Sequence, residues 1–179
     1  MEALIKAALP ADFPAEMALV LSNKPDAAGL DIARKLGVEA LAVDARAFGK
    51  DREAHERAVD DELVKRNIQL VCLAGYMRLL TPWLVNRWQG RMLNIHPSLL
   101  PKFPGLDTHA RALAAGESEH GCTVHLVTEG MDEGPILGQA RVQILQDDDE
   151  PTLAARVLEQ EHLLYPRVVS EAALKMSKN

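Results

Sequence analysis

Residues 90–105 read GRMLNIHPSLLPKFPG, and this stretch indicates both a class of fold and the place of a site. Its first half is a nearly continuous apolar run, which is typical of a strand buried on both faces of a sheet. Its second half carries prolines at positions 97, 101 and 104, which disfavour a helix directly after the strand. The strand ends on two polar residues, Asn94 and His96. Because side chains alternate along a strand, both are predicted on the same face.

Short apolar runs alternate with amphipathic stretches on both sides of this strand. The predicted strands cover 17–23, 39–44, 70–76 and 91–96, and the helices cover 26–37, 50–67, 81–90 and 105–117. This alternation predicts a mostly parallel sheet with helices on both faces. Strands at 122–130 and 134–144 then form a C-terminal antiparallel hairpin, with a turn around residues 131–134. A long helix over 152–176, interrupted near Pro166, ends the chain.

Length and composition favour one continuous α/β domain over residues 1–179, in a soluble protein. The 20 basic and 26 acidic residues give a net charge of -6, which argues against a nucleic-acid partner or an anionic membrane surface. Cys72 and Cys122 have no metal-ligand spacing, as expected for a reduced cytosolic protein. No apolar run is long enough to span a bilayer, and the N-terminal residues do not resemble a signal peptide. We therefore expect a cytoplasmic protein.

The polar residues at the strand ends indicate where a site would lie. Ligands of such sheets bind beyond the carboxyl ends of the parallel strands, where Asn94 and His96 end one strand and Gly75 ends another. An amide beside an imidazole can bind a developing oxyanion and move a proton. The alternative is a proline-rich connection that only ends the strand. Asp132 is either an ordinary acid of a hairpin turn or, if that turn folds over His96, the carboxylate that keeps the imidazole cationic.

Other candidate chemistry is weaker. His96, His109 and His125 are spaced too irregularly to predict a zinc site, so no metal is expected. Ser98 and Cys122 lie in no recognised nucleophile motif and are better explained by packing. A direct transfer without a covalent enzyme intermediate is therefore favoured.

Six segments of the chain, taken together, resemble glycinamide ribonucleotide formyltransferase, the folate-dependent enzyme family of the third step of purine biosynthesis. They are SNKPDAAGL (22–30), LAGYMRLL (73–80), NIHPSLLPKFPGLDTHARAL (94–113), HGCTVHLV (120–127), MDEGPIL (131–137) and EQEHLLYP (159–166). They occur in the order and at the spacing of that family. The formyltransferases for methionyl-tRNA and the deformylase of formyltetrahydrofolate share the N-x-H…D arrangement. The HPSLLPKFPGLDTH stretch and the single domain are more similar to the glycinamide enzyme.

The resemblance implies a Rossmann-like formyltransferase fold and direct formyl transfer from 10-formyltetrahydrofolate to the amine of the ribonucleotide. Asn94 and His96 match the oxyanion-binding and proton-donating pair, and Asp132 matches the acid that orients the histidine. Gly75 and Glu161 match positions that contact the ribonucleotide, although Glu161 alone would be assigned to a solvated helix face. The positions that match the folate pocket are Arg52, Met77, Arg78, Leu79, Leu80, Asn94, Thr128, Glu129, Gly130, Met131 and Asp132.

The chain departs from this family at its beginning. Family members start with a strand in the middle of the sheet and a G-x-G-S-N loop that holds the substrate phosphate at a helix N-terminus. Here MEALIKAA aligns with the residues just after that loop. We expect the natural protein to start upstream of Met1, because a missing central strand would leave strand edges open. For the chain as it stands, we expect weak ribonucleotide binding and an intact folate pocket. The alternative functions are hydrolysis of formyltetrahydrofolate and an inactive folate-binding remnant.

Overall fold

The computed structural model describes residues 1–178 and follows the predicted alternation of strands and helices. All predicted elements are present with ends shifted by a few residues, and a 3-10 turn at Ala45–Phe48 was not predicted. The helices are α1 Glu2–Ala7, α2 Ala28–Lys35, α3 Arg52–Lys65, α4 Pro82–Arg87, α5 Thr108–Ala114 and α6 Glu150–Met176. The strands are β1 Leu19–Ser22, β2 Glu39–Ala42, β3 Val71–Leu73, β4 Met92–His96, β5 Glu119–Leu126 and β6 Ile136–Gln143.

The two longest helices begin at residues whose side chains cap them. Asp51 accepts a hydrogen bond from the Ala54 backbone N–H at 2.9 Å, which satisfies one free donor at the start of α3. Asp149 and Thr152 form a reciprocal capping box at the start of α6. These local signals explain why both helices begin where the hydrophobic pattern predicts.

The strands form two sheets rather than one. β1 and β2 are a parallel pair, and the second sheet has the order β3-β4-β5-β6. β3 is parallel to β4, whereas β4–β5 and β5–β6 are antiparallel. Within residues 1–178, no strand pairs with the remaining edges of β1 and β3.

β5 is therefore antiparallel to β4, and β6 again runs in the direction of the parallel strands, in agreement with the predicted antiparallel hairpin. The reason is that residues 97–118 remain at the carboxyl end of β4. There Thr108, at the start of α5, donates its hydroxyl hydrogen to the Pro97 carbonyl at 2.7 Å. β5 then enters the sheet from that end and must run antiparallel to β4.

Two apolar clusters cover the sheet. The larger one joins Leu93, Cys122 and Val124 to buried residues of α6, including Leu153 and Val157. The smaller one lies between α3, α4 and the start of β4, and its buried members are Leu63, Leu84, Trp88 and Met92. Tyr165 of α6 directs its hydroxyl to the carbonyls of Leu73 and Leu93, 2.9 and 3.1 Å away. Helix α6 is thereby joined to both β3 and β4.

The predicted interruption of the last helix near Pro166 is wrong. α6 is continuous from Glu150 to Met176 with Pro166 inside it. Proline removes one backbone hydrogen bond, but residues on both sides of it, Leu164 and Val168, are buried in the larger core cluster. Packing of this apolar face outweighs the local cost. No helix within residues 1–178 combines the length and the apolar character needed to cross a membrane.

Candidate active site

A polar face formed by β4 and β5 is the centre of the candidate site. Asn94 lies directly opposite His125, and His96 lies opposite Thr123. All four side chains share one face, because alternation along each strand places every second residue on the same side. Their neighbour Leu93 belongs to the core on the other face. Asn94 and His96 therefore share a face as the sequence predicts.

His96 lies between two oxygen atoms. Its Nε2 is 2.9 Å from the Phe103 carbonyl oxygen, and its Nδ1 is 3.4 Å from Oδ2 of Asp132. The turn between β5 and β6 thus folds over the end of β4, which was one of two alternatives left open by the sequence. Both oxygens are acceptors, so both contacts are satisfied together when the imidazole carries two protons. Each ring nitrogen of His96 therefore faces one oxygen atom.

Asp132 also connects the two loops that meet above β4. The same Oδ2 atom accepts a hydrogen bond from the Gly105 backbone N–H at 2.9 Å. Phe103, Asp107 and Asp132 have positive φ angles of 54°, 56° and 56°, which are uncommon for residues other than glycine. Such backbone conformations cluster at functional sites, where surrounding contacts hold them.

His125 is a residue of the site that the sequence interpretation missed. Its Nε2 lies 3.3 Å from the Asn94 amide nitrogen and 3.6 Å from Oδ1 of Asp132. Its Nδ1 lies 2.9 Å from the Leu126 carbonyl oxygen. The neutral tautomer with its proton on Nδ1 donates to that carbonyl and accepts from Asn94. Only the cross-strand register reveals this role, because alternation alone placed His125 on a face without identifying its partner.

The proline-containing loop, residues 97–107, is held by buried hydroxyl groups. Thr123 donates to the Ser98 carbonyl at 2.6 Å and accepts from the Leu100 backbone N–H at 3.0 Å. Ser98 is fully buried and donates its own hydroxyl hydrogen to the Lys102 carbonyl at 2.6 Å. These bonds determine where the loop places Phe103 and therefore the acceptor that faces His96.

Cys122, the other candidate nucleophile, and His109, one of the candidate zinc ligands, have surroundings that favour a structural role. Cys122 lies in the apolar core, where burial raises the pKa of its thiol to about 12. His109 stacks edge-to-face on His120 with ring centroids 5.2 Å apart, and burial lowers the pKa of both imidazoles, that of His120 to about 4. In the described chain, residues 1–178, no group of three or more His, Cys, Asp or Glu side chains is arranged to hold a metal ion.

The loop after β3, residues 74–81, lies at the same edge of the sheet. Leu73 is opposite Asn94, so this loop begins beside the polar face. It exposes two apolar side chains, Met77 at 75% and Leu79 at 60%. Arg52 of α3 directs Nη1 to the Leu79 carbonyl at 3.4 Å. An exposed apolar surface beside a polar cluster is suited to a flat ring with a reactive polar end.

The family resemblance also implies binding roles for Gly75, Glu129, Met131 and Glu161, which lie in different surroundings. Gly75 has a φ of +67°, and the space where its side chain would stand is open. In the loop that carries Asp132, Glu129 accepts a hydrogen bond from Asn86 at 2.8 Å, and Met131 is half-exposed. Glu161 lies on α6, where burial raises the pKa of its carboxyl. Among the described residues, no hydrogen bond or ion pair joins it to the loops around His96.

Comparison with known proteins gives consistent matches over the whole chain. The family model described as formyl transferase matches residues 1–169. The phosphoribosylglycinamide formyltransferase of Escherichia coli (strain K12) is 44% identical over 182 residues, covering 100% of this chain and 85% of the relative. A trifunctional purine biosynthetic protein of Drosophila melanogaster is 46% identical over 156 residues, 87% of this chain and 12% of that protein.

A solved structure agrees with these sequence matches. The phosphoribosylglycinamide formyltransferase from Brucella melitensis superposes with a TM-score of 0.92 at 52% identity, covering 97% of this chain and 88% of that structure. This match extends to the α/β arrangement and agrees with the predicted formyltransferase fold.

Proposed function

The chain belongs to the formyl transferase family, and we propose that it transfers a formyl group to the amine of glycinamide ribonucleotide in purine biosynthesis. The donor is a formyl-tetrahydrofolate, which we assign as 10-formyltetrahydrofolate. The observation that carries this proposal is the convergence of Asn94, His96 and Asp132 at one edge of the sheet. The substrates are small molecules, no metal is required, and we place the reaction in the cytoplasm.

The first step is attack of the ribonucleotide amine on the formyl carbon, which places negative charge on the formyl oxygen. Asn94 is suited to stabilise that charge, because its amide nitrogen carries two hydrogens and His125 engages one of them at 3.3 Å. The second hydrogen is available to the oxyanion. A fixed donor of this kind costs no reorganisation as the charge develops.

His96 supplies the proton that the reaction needs. The new C–N bond forms to the ribonucleotide amine, which loses a proton, and the bond to the folate nitrogen breaks as that nitrogen gains one. The imidazolium of His96 donates a proton to the folate nitrogen, and the neutral imidazole then takes up the proton that the amine loses, so the transfer ends with the same protonation of His96. Asp132 at 3.4 Å faces the other ring nitrogen and orients the imidazole. Substrate then replaces the Phe103 carbonyl as the acceptor that faces Nε2, 2.9 Å away in the free protein.

The folate ring is proposed to bind between two loops. Residues 77–80 contribute exposed apolar side chains, and residues 128–132 form the loop that carries Asp132. Asn94 is included in the folate pocket because it lies on the polar face of β4. Arg52 is included because it contacts Leu79. The ribonucleotide is assigned to the side of Gly75 and Glu161, by their match to the family.

The test is to incubate the protein with 10-formyltetrahydrofolate and glycinamide ribonucleotide and to measure the formylated ribonucleotide by mass. Replacing His96 with alanine should lower the rate about 10²- to 10⁴-fold, the usual range for a lost general acid. Replacing the exposed His162 with alanine is the control and should leave the rate unchanged. Formate release without the ribonucleotide would instead indicate a hydrolase. An unchanged rate in His96→Ala would remove His96 from the mechanism.

A further inference from the structure

We propose that Glu56, a buried carboxylate on α3, is a positioning residue for the folate donor. It holds the loop of residues 74–81 through Thr81, at the point where that loop becomes α4. This inference rests on the proposed function, since it assigns the loop to the donor rather than to the ribonucleotide.

The contacts of Glu56 are buried and directed at one residue. Glu56 is only 3% exposed. The Thr81 backbone N–H donates to Oε1 at 2.9 Å and to Oε2 at 3.2 Å, and the Thr81 hydroxyl donates to Oε2. A buried carboxylate is costly unless it is hydrogen-bonded, and within residues 1–178 Thr81 provides all the hydrogen bonds that Glu56 accepts. The position of the carboxylate therefore determines that of Thr81.

Thr81 uses its hydroxyl in an unusual way for its place in the chain. It is the N-cap of α4, where a threonine hydroxyl normally accepts a hydrogen bond from the first turn of the helix. Here the helix receives no side-chain cap, and the hydroxyl is turned to α3 instead. The interaction thus connects the loop to α3 at the expense of the ordinary cap.

A second contact from the same helix acts on the same loop. Arg52 precedes Glu56 by one turn of α3, and its Nη1 reaches the Leu79 carbonyl at 3.4 Å. α3 therefore holds the loop at Leu79 and at Thr81, on both sides of Leu80. Met77 and Leu79, which expose their apolar side chains, lie in the segment that these contacts orient.

The same helix offers a matched control. Asp60 is one turn after Glu56, is 6% exposed, and is also hydrogen-bonded to α4. It accepts from Trp88 Nε1 at 2.8 Å and from Arg87 Nε at 3.2 Å, at the opposite end of α4. Both acids join α3 to α4, but only Glu56 reaches the loop. A purely structural role predicts the same consequences for both, whereas a positioning role predicts different ones.

The experiment compares Glu56→Gln with Asp60→Asn in the full chain. Glu56→Gln should raise the KM for 10-formyltetrahydrofolate about tenfold or more, since small misplacements of substrate-positioning groups are costly, and leave the KM for the ribonucleotide within about twofold. Asp60→Asn should lower resistance to urea to a similar extent but leave both KM values at the parental level. Equal effects of the two variants on the folate KM, or equal effects of Glu56→Gln on both substrates, would overturn the proposal.

A pair of variants at Thr81 tests the same contact without altering Glu56. Thr81→Val removes the hydroxyl and should raise the folate KM, whereas Thr81→Ser retains it and should behave like the parent. If Glu56→Gln does not fold, this pair decides the question: equal folate KM values for valine and serine would refute the role of the contact.

Direct binding of tetrahydrofolate separates this inference from the proposed function. A parent protein that binds tetrahydrofolate but transfers no formyl group would contradict the proposed function, and the comparison of Glu56→Gln with Asp60→Asn by binding would still decide the role of Glu56. A parent that is active, with folate binding unchanged in Glu56→Gln, would refute the present inference alone.

Discussion

The Nδ1 atom of His96 lies 3.4 Å from Oδ2 of Asp132, although the two residues belong to different parts of the fold. His96 ends β4, and Asp132 lies in the connection between β5 and β6. The same oxygen of Asp132 accepts the Gly105 backbone N–H at 2.9 Å. One carboxylate therefore both faces the imidazole and holds the proline-containing loop that covers it.

Replacing Asp132 with asparagine should lower kcat about 10²-fold or more, because the amide cannot stabilise the imidazolium that donates the proton. The hydrogen bond from Gly105 can persist to the amide oxygen, so circular dichroism should remain that of the parent. Steady-state kinetics at pH 7 provide the measurement.

The neighbouring acid Glu133 supplies the control for that change. It is exposed and lies in the same loop. Glu133→Gln removes the same unit of charge and should leave kcat within about twofold, since exposed charges contribute little. Equal losses in the two variants would show that the effect of Asp132 is not its contact with His96.

His125 is expected to matter through its orientation of the Asn94 amide. In His125→Asn, the side-chain amide places a donor near the position of Nδ1 but leaves no acceptor at the position of Nε2. kcat should therefore fall about tenfold, which corresponds to the loss of one well-placed hydrogen bond. A glutamine can place its amide oxygen near the Nε2 position and should recover part of the rate. If both variants lose the same activity, the 3.3 Å contact with Asn94 is not the relevant one.

Thr123 should control the stability of the loop above the site. Thr123→Val leaves the buried Leu100 N–H without its acceptor at 3.0 Å and should lower the free energy of unfolding by about 2–3 kcal/mol. Thr123→Ser retains the hydroxyl and isolates the effect of the lost methyl group. Urea unfolding monitored by circular dichroism measures the difference, and equal stability of valine and serine variants would contradict this role.

His120 should make stability depend on pH. Burial, with His109 adding to it, lowers the pKa of His120 to about 4 in the folded state, so the unfolded chain binds a proton first as the pH falls. The contribution of the neutral imidazole to the free energy of unfolding is complete above pH 6.5 and decreases towards pH 4. Between pH 7.5 and 5 the free energy of unfolding should fall by about 2 kcal/mol because of this residue.

The variant His120→Phe removes that titration and retains the stacking on Phe103 and His109. Its loss of stability between pH 7.5 and 5, measured by urea unfolding, should be smaller than that of the parent by the same about 2 kcal/mol. His162→Asn removes an exposed imidazole of α6 and should retain the parental dependence. A parental slope in His120→Phe would mean that another group is responsible.

Most elements of the fold could be predicted from local patterns. The apolar run of β4 and its neighbours predicted strands, and the amphipathic stretches between them predicted α2 to α5 within a few residues. The prediction failed at Pro166, because a local rule about proline does not include the burial of Leu164 and Val168 on both sides of it. The direction of β5 relative to β4 is decided by the tertiary structure, because the loop and α5 remain at one end of β4.

For the candidate site, the amino-acid sequence was sufficient for the residues that share a strand. Asn94 and His96 lie on one face because alternation is a property of the strand itself. Asp132, His125 and Glu56 could not be assigned in this way. Their partners come from other strands and helices, and a hydrogen bond requires a separation of about 3 Å, which the register of β4 with β5 and the packing of α3 on α4 determine.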